Sequence, residues 1–228
     1  ENYHSWRTLY YYSGNIPVRG FQTTLLGLAV MAGNSEVVDY LLKAGCDVNA
    51  EQQDKIPMIM LASVFSNNIE TVKLIAEAGN INSQDVQGYT ALMEAVSYSS
   101  PEIISTLLAS GADVNILSDT GRTALIYAAS RKTRTDSGKL ALIIRMLISA
   151  GADVKLKDEY GKLAIDYAKD NELLKDNQAI LKLLSFDEKD IFDIAKNGTL
   201  KELEKAYKAG ISLDVRNESC DTLLHMAA

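Results

Sequence analysis

The chain repeats two short phrases at a nearly fixed distance, and this periodicity limits its fold more than any other feature. The first phrase has a glycine followed by Asp, and in two of these copies Asn, residues typical of turns: KAGCDVN, SGADVN and AGADVK. The second phrase is seen in GYTALMEA and GRTALIYAA. Indexed by the position that holds Thr in the second phrase, the copies start at Thr24, Ile56, Thr90, Thr123, Leu163, Lys189 and Thr222. Four of the six steps between these positions are close to one shared length, which indicates a solenoid of stacked supersecondary units.

The residues of one copy predict a pair of helices. Thr90 is placed to accept a backbone N–H at the start of a first helix. Pro101 suits the first turn of a second helix, and Gly111 suits the left-handed residue that ends it. The apolar residues between these signals fall at helical spacing: Leu92, Ala95 and Val96, then Ile103, Ile104, Leu107 and Leu108. Such a pair cannot bury its own apolar faces, so neighbouring copies must stack on it.

The shared step is a period of about 33 residues, and with its T-P-L-H-x-A-like opening it resembles the ankyrin-repeat family. The resemblance covers nearly the whole chain and is strongest in the copies from Thr90 and Thr123. It implies an all-α fold, an α-solenoid in which helix–turn–helix units stack and β-hairpin-like fingers line one edge. It also implies a module that binds a partner protein in a concave groove formed by the fingers and the first helices.

Departures from the period define the predicted domains. The step after Thr123 is too long by seven positions, which places an insertion around residues 130–138. This insertion is either a solvated loop or a basic contact loop formed by Arg131, Lys132 and Arg134. The step after Leu163 is too short by seven positions, which places a seam at residues 185–189. We predict one stack over residues 1–184, with an N-terminal half repeat plus five repeats, and a second stack over residues 185–228.

The second stack is expected to open with an irregular, capping-like repeat and to end in a truncated one. The phrase WRTLYYYSGNIPV at residues 6–18 resembles the second half of a copy, and DTLLHMAA at residues 221–228 resembles the front of another. We therefore expect an excerpt of a longer array, whose open apolar ends allow end-to-end self-association. The copy from Ile56 is also irregular: its glycine and threonine positions hold Asp54 and Ile56, and VFSNN carries about two extra residues.

Composition argues against several classes of function. A net charge of −7 disfavours nucleic-acid binding, and no uncharged apolar run is long enough to predict a membrane span. Cys46 and Cys220 make neither a disulfide framework nor a zinc site, and they favour a reducing compartment such as the cytoplasm. Secretion stays open, because the chain does not begin with Met. His4 and His225 have no paired base or ligand, so we expect no enzyme, no metal and no cofactor.

The family resemblance assigns the partner-binding residues position by position. The finger positions include Gln87, Tyr89, Arg122, Tyr160 and Lys162, and the first-helix positions include Glu94, Tyr98, Tyr127, Arg131 and Tyr167. Tyrosine offers a large contact area with few rotatable bonds, so these tyrosines are either binding hot spots or packing residues between repeats.

The leading functional prediction is a non-enzymatic scaffold that binds a protein of unknown identity. Two alternatives stay open beside it. In the first, the groove binds no partner and the array is a structural spacer. In the second, the array belongs to a larger enzyme or a host-directed effector and recruits its substrate.

Overall fold

The computed structural model describes residues 23–50, 55–66, 68–98, 100–131 and 136–185. These residues form ten α-helices and no β-strand. The helices are α1 (Leu25–Met31), α2 (Ser35–Lys43), α3 (Met58–Phe65), α4 (Ile69–Ala78), α5 (Ala91–Tyr98), α6 (Pro101–Ala109), α7 (Ala124–Ser130), α8 (Ser137–Ser149), α9 (Ala164–Lys169) and α10 (Gln178–Leu184). Several predictions fall outside the described residues. They are the half repeat at 6–18, the seam at 185–189 and the second stack at 185–228 beyond their first residue, Ser185, and the residues Lys132, Arg134, Cys220, His4 and His225.

The helices pair and stack within two compact units, one ending at Asp113 and the other starting at Val114. In the first unit, α1 packs on α2, α3 on α4 and α5 on α6; the first helices α1, α3 and α5 then stack in order, as do α2, α4 and α6. In the second unit, α7 packs on α8 and on α9, while α10 packs on α9 and α8. The prediction of a helical repeat fold is thereby confirmed.

The predicted start and stop signals are confirmed where they are described. The Thr90 hydroxyl accepts the Met93 N–H at 3.3 Å, and the Thr123 hydroxyl accepts the Ile126 N–H at 3.2 Å. Pro101 is the first residue of α6. Gly111 follows α6 with φ of 89°, the left-handed conformation that glycine adopts at little cost.

The start of the second copy was placed one residue too early. Pro57, not Ile56, is the residue before α3, and Lys55, not Asp54, occupies the glycine position with φ of 53°. Pro57 has the extended backbone of a helix N-cap but no side-chain hydrogen bond, so the usual side-chain signal is absent. Measured from Pro57, the steps back to Thr24 and forward to Thr90 are equal, so the second copy keeps the regular period.

The turn between α3 and α4 carries one extra residue rather than two. The second helix α4 begins at Ile69, twelve residues after Pro57, whereas α2 and α6 begin eleven residues after Thr24 and Thr90. The insertion around residues 130–138 is partly helical. It gives α8 a length of 13 residues against nine in α6, and Asp136 caps α8 by accepting the Gly138 N–H at 3.3 Å.

Candidate functional site

Three fingers in the described chain share one backbone turn, at residues 85–90, 118–123 and 158–163. In each finger the first residue donates its N–H to the carbonyl of the fifth: Asp85 to Tyr89 at 3.0 Å, Ser118 to Arg122 at 3.0 Å and Asp158 to Lys162 at 3.1 Å. The fourth residue is a glycine with φ between 69° and 74°. The backbone of the fingers is therefore uniform, and their differences lie in the side chains.

Asp158 is the buried anchor of the last finger. Its side chain is fully buried, and its Oδ1 accepts the backbone N–H groups of Tyr160 and Lys162 at 3.0 Å each. Its Oδ2 accepts the Tyr167 hydroxyl and lies 3.4 Å from Nε of Arg122. Burial alone raises the pKa of this carboxyl, but the Tyr167 hydroxyl, the two N–H groups and the Arg122 charge together lower it below its ordinary value. Asp158 is therefore ionised at neutral pH.

Arg122 reaches from its own finger to the next one. Besides Asp158, its Nη2 donates to the Tyr167 hydroxyl at 2.9 Å. Its guanidinium carbon lies 5.0 Å from the ring centroid of Tyr167 and 5.8 Å from that of Tyr127, within the range of cation–π attraction. Burial by itself lowers the pKa of Arg122, but Tyr167, Tyr127 and Asp158 raise it more, so the net pKa lies above the ordinary value. The two fingers are thus joined by a charged and aromatic network.

Both first-helix tyrosines of the second unit are held by polar contacts. The Tyr127 hydroxyl lies 3.0 Å from Oγ of Ser118 and 3.3 Å from Oγ1 of Thr120. Burial, followed by the hydrogen bond to Asp158, raises the pKa of Tyr167, so its hydroxyl keeps its proton and donates it. Both rings are half-buried, which fixes their orientation while leaving part of each ring accessible.

The structure brings four of the predicted site residues together: Arg122, Tyr127, Lys162 and Tyr167. The Lys162 ammonium lies 5.3 Å from the ring centroid of Tyr167 and 4.0 Å from the exposed Asp170 carboxylate. We call these four residues, with Asp158, the finger cluster.

Two other predicted residues of the second unit are not members of the finger cluster, although the backbone N–H of Tyr160 donates to Asp158. Tyr160 is 68% exposed, next to Gly161 in the last finger. Arg131 follows α7, and its carbonyl accepts Nδ2 of Asn171 at 2.7 Å.

The predicted residues of the first unit have mixed surroundings. Gln87 and Tyr89 are half-buried, and their N–H groups donate to Oδ1 of Asp85 at 2.9 Å each. Tyr98 is half-buried at the end of α5. Glu94 is only 2% exposed, so little of its side chain is accessible to a partner.

Sequence reasoning placed Thr120 among the finger positions but missed Asp158 and Ser118, although one signal for Asp158 was present. Asp158 in KDEYG occupies the same finger position as Asp85 in QDVQG, which marks it as a turn residue. Its contacts with Arg122 and Tyr167 could be found only once the repeats were stacked.

The described residues contain neither a metal-binding cluster nor a membrane-spanning helix. No cluster of three or more His, Cys, Asp or Glu side chains there is arranged to hold a metal ion. In the same part of the chain, every helix is too short or too polar to cross a bilayer.

Comparison with known proteins identifies the repeat. A family model described as ankyrin repeats (3 copies) matches residues 26–118, 59–158 and 102–197. The chain is 33% identical over 124 residues to the transient receptor potential cation channel subfamily A member 1 of Drosophila melanogaster, covering 52% of this chain and 10% of the channel. It is 35% identical over 95 residues to the E3 ubiquitin-protein ligase KEG of Arabidopsis thaliana, covering 41% of this chain and 6% of the ligase.

A third relative is the B-cell lymphoma 3 protein homolog of Mus musculus, 31% identical over 122 residues, which is 53% of this chain and 27% of that protein. The chain therefore spans a small part of each of these relatives. Ankyrin repeats are generally non-catalytic modules of protein–protein interaction, and they occur within proteins of very different activity. From the matched repeats, the chain belongs to the ankyrin-repeat family.

Proposed function

We propose that this chain is a non-enzymatic module that binds a partner protein through its fingers and first helices. The observation that carries the proposal is the finger cluster. Arg122 and Lys162 lie against the ring of Tyr167, and buried Asp158 holds Arg122 and Tyr167 in place. Aromatic and arginine side chains held in this way are the residue types that dominate binding energy at protein interfaces. Because they are fixed before binding, little side-chain entropy is lost when a partner docks.

The accessible members of this surface are the proposed contacts. Tyr160 and Lys162 are exposed in the finger, and the half-buried rings of Tyr127 and Tyr167 lie on the adjoining first helices. The first unit has its own proposed contacts at the matching positions, Gln87, Tyr89 and Tyr98, while its buried Glu94 supports the proposal least.

The test compares partner capture by the wild-type chain with capture by the Tyr160→Ala, Lys162→Glu double variant. The matched control is Leu142→Ala, since Leu142 is an exposed apolar residue on the second helix α8. Captured proteins are identified by mass spectrometry, and the affinity of each for the purified chain is measured by calorimetry. We expect at least a tenfold loss of affinity in the double variant, corresponding to about 1.4 kcal/mol, and no loss in the control.

Two results separate the alternatives. Equal affinity of all three chains for every captured protein would contradict binding through the finger cluster. If no protein is captured specifically, the spacer alternative is favoured, and the polar contacts between the fingers then serve to stiffen the array.

A further inference from the structure

The buried carboxylate of the finger cluster has no acceptor left for a partner. Oδ1 of Asp158 accepts the N–H groups of Tyr160 and Lys162, and its Oδ2 accepts the Tyr167 hydroxyl and the Nε–H of Arg122. These four bonds fill the roughly four lone-pair positions of a carboxylate. The side chain is also fully buried, so Asp158 orients its neighbours and makes no contact with a partner itself.

The two cations of the finger cluster, in contrast, keep unused donors. The structure gives acceptors for the Nε–H of Arg122 and for one N–H of its Nη2, so three guanidinium N–H groups remain, on Nη1 and Nη2. The Arg122 side chain is 25% exposed. The Lys162 ammonium lies 4.0 Å from the carboxylate of Asp170, which is too far for a hydrogen bond, and its side chain is 48% exposed. A partner that docks here therefore meets positively charged hydrogen-bond donors.

The guanidinium of Arg122 is also fixed before a partner binds. Asp158 and the Tyr167 hydroxyl hold its Nε and Nη2, and the rings of Tyr167 and Tyr127 flank it at 5.0 and 5.8 Å. A guanidinium presents its N–H groups as a rigid planar fork, which matches the two oxygens of a carboxylate better than the single oxygen of a hydroxyl or a backbone carbonyl. The group that fits these donors is therefore a carboxylate.

We propose that the partner segment docked on the finger cluster is acidic, and that its Asp or Glu carboxylates bind Arg122 and Lys162. This assignment rests on the function proposed above and adds the chemistry of the partner to it. The donors of both cations then find charged acceptors, and the complementary charges set the register of the docked segment.

The distribution of charge along the chain is compatible with an acidic partner at this place. The described residues of the first unit carry nine acidic and three basic side chains, whereas those of the second unit carry nine acidic and ten basic ones. The negative charge that would repel an acidic partner is therefore concentrated in the first unit. Within the second unit the competitor is Asp170, whose 71% exposed carboxylate forms only a weak ion pair with Lys162 that a partner's carboxylate can replace.

The test uses a displayed library of random peptides, selected on the immobilised full-length chain and then sequenced. We expect the bound peptides to be enriched in Asp and Glu relative to the library. Selected peptides are synthesised with a fluorescent label, and their affinity for the chain is measured by fluorescence polarisation. Added salt should weaken their binding, because exposed charges are screened.

Two variants of exposed residues should change this affinity in opposite directions. Lys162→Gln removes a cation and should weaken binding about two- to fivefold, while Asp170→Asn removes the competing carboxylate and should tighten it by up to the same factor. The matched controls are Lys139→Gln and Asp176→Asn, which remove the same charges from exposed positions outside the finger cluster. They should change the affinity by less than about twofold. Melting temperatures of all four variants check that the fold is retained.

Selected peptides that are not enriched in Asp and Glu, or an affinity that is unchanged or weaker in Asp170→Asn, would overturn the acidic partner. The Tyr160→Ala, Lys162→Glu double variant separates this failure from that of the proposed function. Peptides that lose affinity for the double variant but are not acidic refute the acidic partner alone. Peptides that bind the double variant as tightly as the wild type contradict both proposals.

If the selection returns no peptide, sodium acetate serves as the carboxylate probe. The nuclear magnetic resonance signal of the Arg122 Nε–H should shift more with acetate than with sodium chloride at equal ionic strength, because acetate binds the remaining guanidinium donors. Equal shifts with the two salts would contradict a carboxylate site at the finger cluster.

Discussion

The repeat from Pro57 and the repeat from Thr123 contain the same kind of helix pair but are stabilised differently. The Pro57 repeat has Lys55 where the Thr123 repeat has Gly121, and no hydroxyl caps its first helix. Every residue of α3 from Met58 to Val64 is nevertheless buried, so the burial of mostly apolar side chains stabilises this helix without a side-chain cap. The Thr123 repeat has the expected glycine and threonine and adds the finger cluster, which links it to the repeat from Leu163.

This difference shows that the start signals of a repeat are optional when its first helix is deeply buried. Burial of about seven side chains outweighs the loss of a cap, which is worth only about 0.5–2 kcal/mol. The charged and aromatic residues of the finger cluster are not needed to form the turn, because the finger at residues 85–90 has the same backbone with Tyr89 in place of Arg122. Their presence in the second unit is what makes that surface the candidate for binding.

The largest effect is expected from Asp158→Ala. This change removes the carboxylate from a partly buried arginine and leaves the Tyr160 and Lys162 N–H groups without their acceptor. Loss of one partner of a buried pair costs about 3–5 kcal/mol. The matched variant is Ser118→Ala, the same position in the preceding finger, where only neutral hydrogen bonds are lost, at about 1 kcal/mol. Urea unfolding at pH 7 measures both, and equal costs would contradict the anchoring role of Asp158.

The same carboxylate should make stability sensitive to acid. Its folded pKa is lowered from the ordinary value of 3.8, so its contribution is present above about pH 4 and is lost as the pH falls through the folded pKa. The difference in unfolding free energy between the wild type and Asp158→Asn should therefore be constant from about pH 7 to 5 and shrink below about pH 4. Ser118→Ala changes no titrating group, so a similar pH dependence in that variant would argue against Asp158 as the source.

Leu61→Ala tests whether burial stabilises the Pro57 repeat. Leu61 is fully buried in α3, so its truncation should cost about 2–5 kcal/mol. Leu28 is the same residue type at the same position of α1 but is 51% exposed, and Leu28→Ala should change stability by about 0.5 kcal/mol or less. Thermal and urea unfolding of the two variants give the contrast. A small cost for Leu61→Ala would mean that something other than apolar packing holds the irregular repeat.

Local signals made much of the fold predictable from sequence. Thr90, Pro101 and Gly111 act on backbone groups within a few residues, so their roles could be inferred from the chain alone. The register of the second copy was missed by one residue because the backbone of Pro57 caps α3 without a side-chain signal. The finger cluster was missed as a unit because its contacts join residues 36 and 45 positions apart, which only the stacking of repeats brings together.

The smallest expected effect is a gain in stability from Lys55→Gly. Lys55 has φ of 53°, a left-handed conformation that costs a residue with a side chain about 1–2 kcal/mol. Glycine relieves this cost but gives the unfolded chain more freedom, worth about 0.4–1 kcal/mol, so the net gain is about 0.5 kcal/mol.

The opposite change, Gly121→Ala, should destabilise the chain. Gly121 has φ of 69°, and a Cβ there would lie 3.0 Å from the backbone nitrogen of Glu159. Differential scanning calorimetry of both variants measures the sign of each effect. If Lys55→Gly lowers the melting temperature, Lys55 makes a contact that outweighs its strained backbone, and the Pro57 repeat then depends on more than the apolar burial of α3.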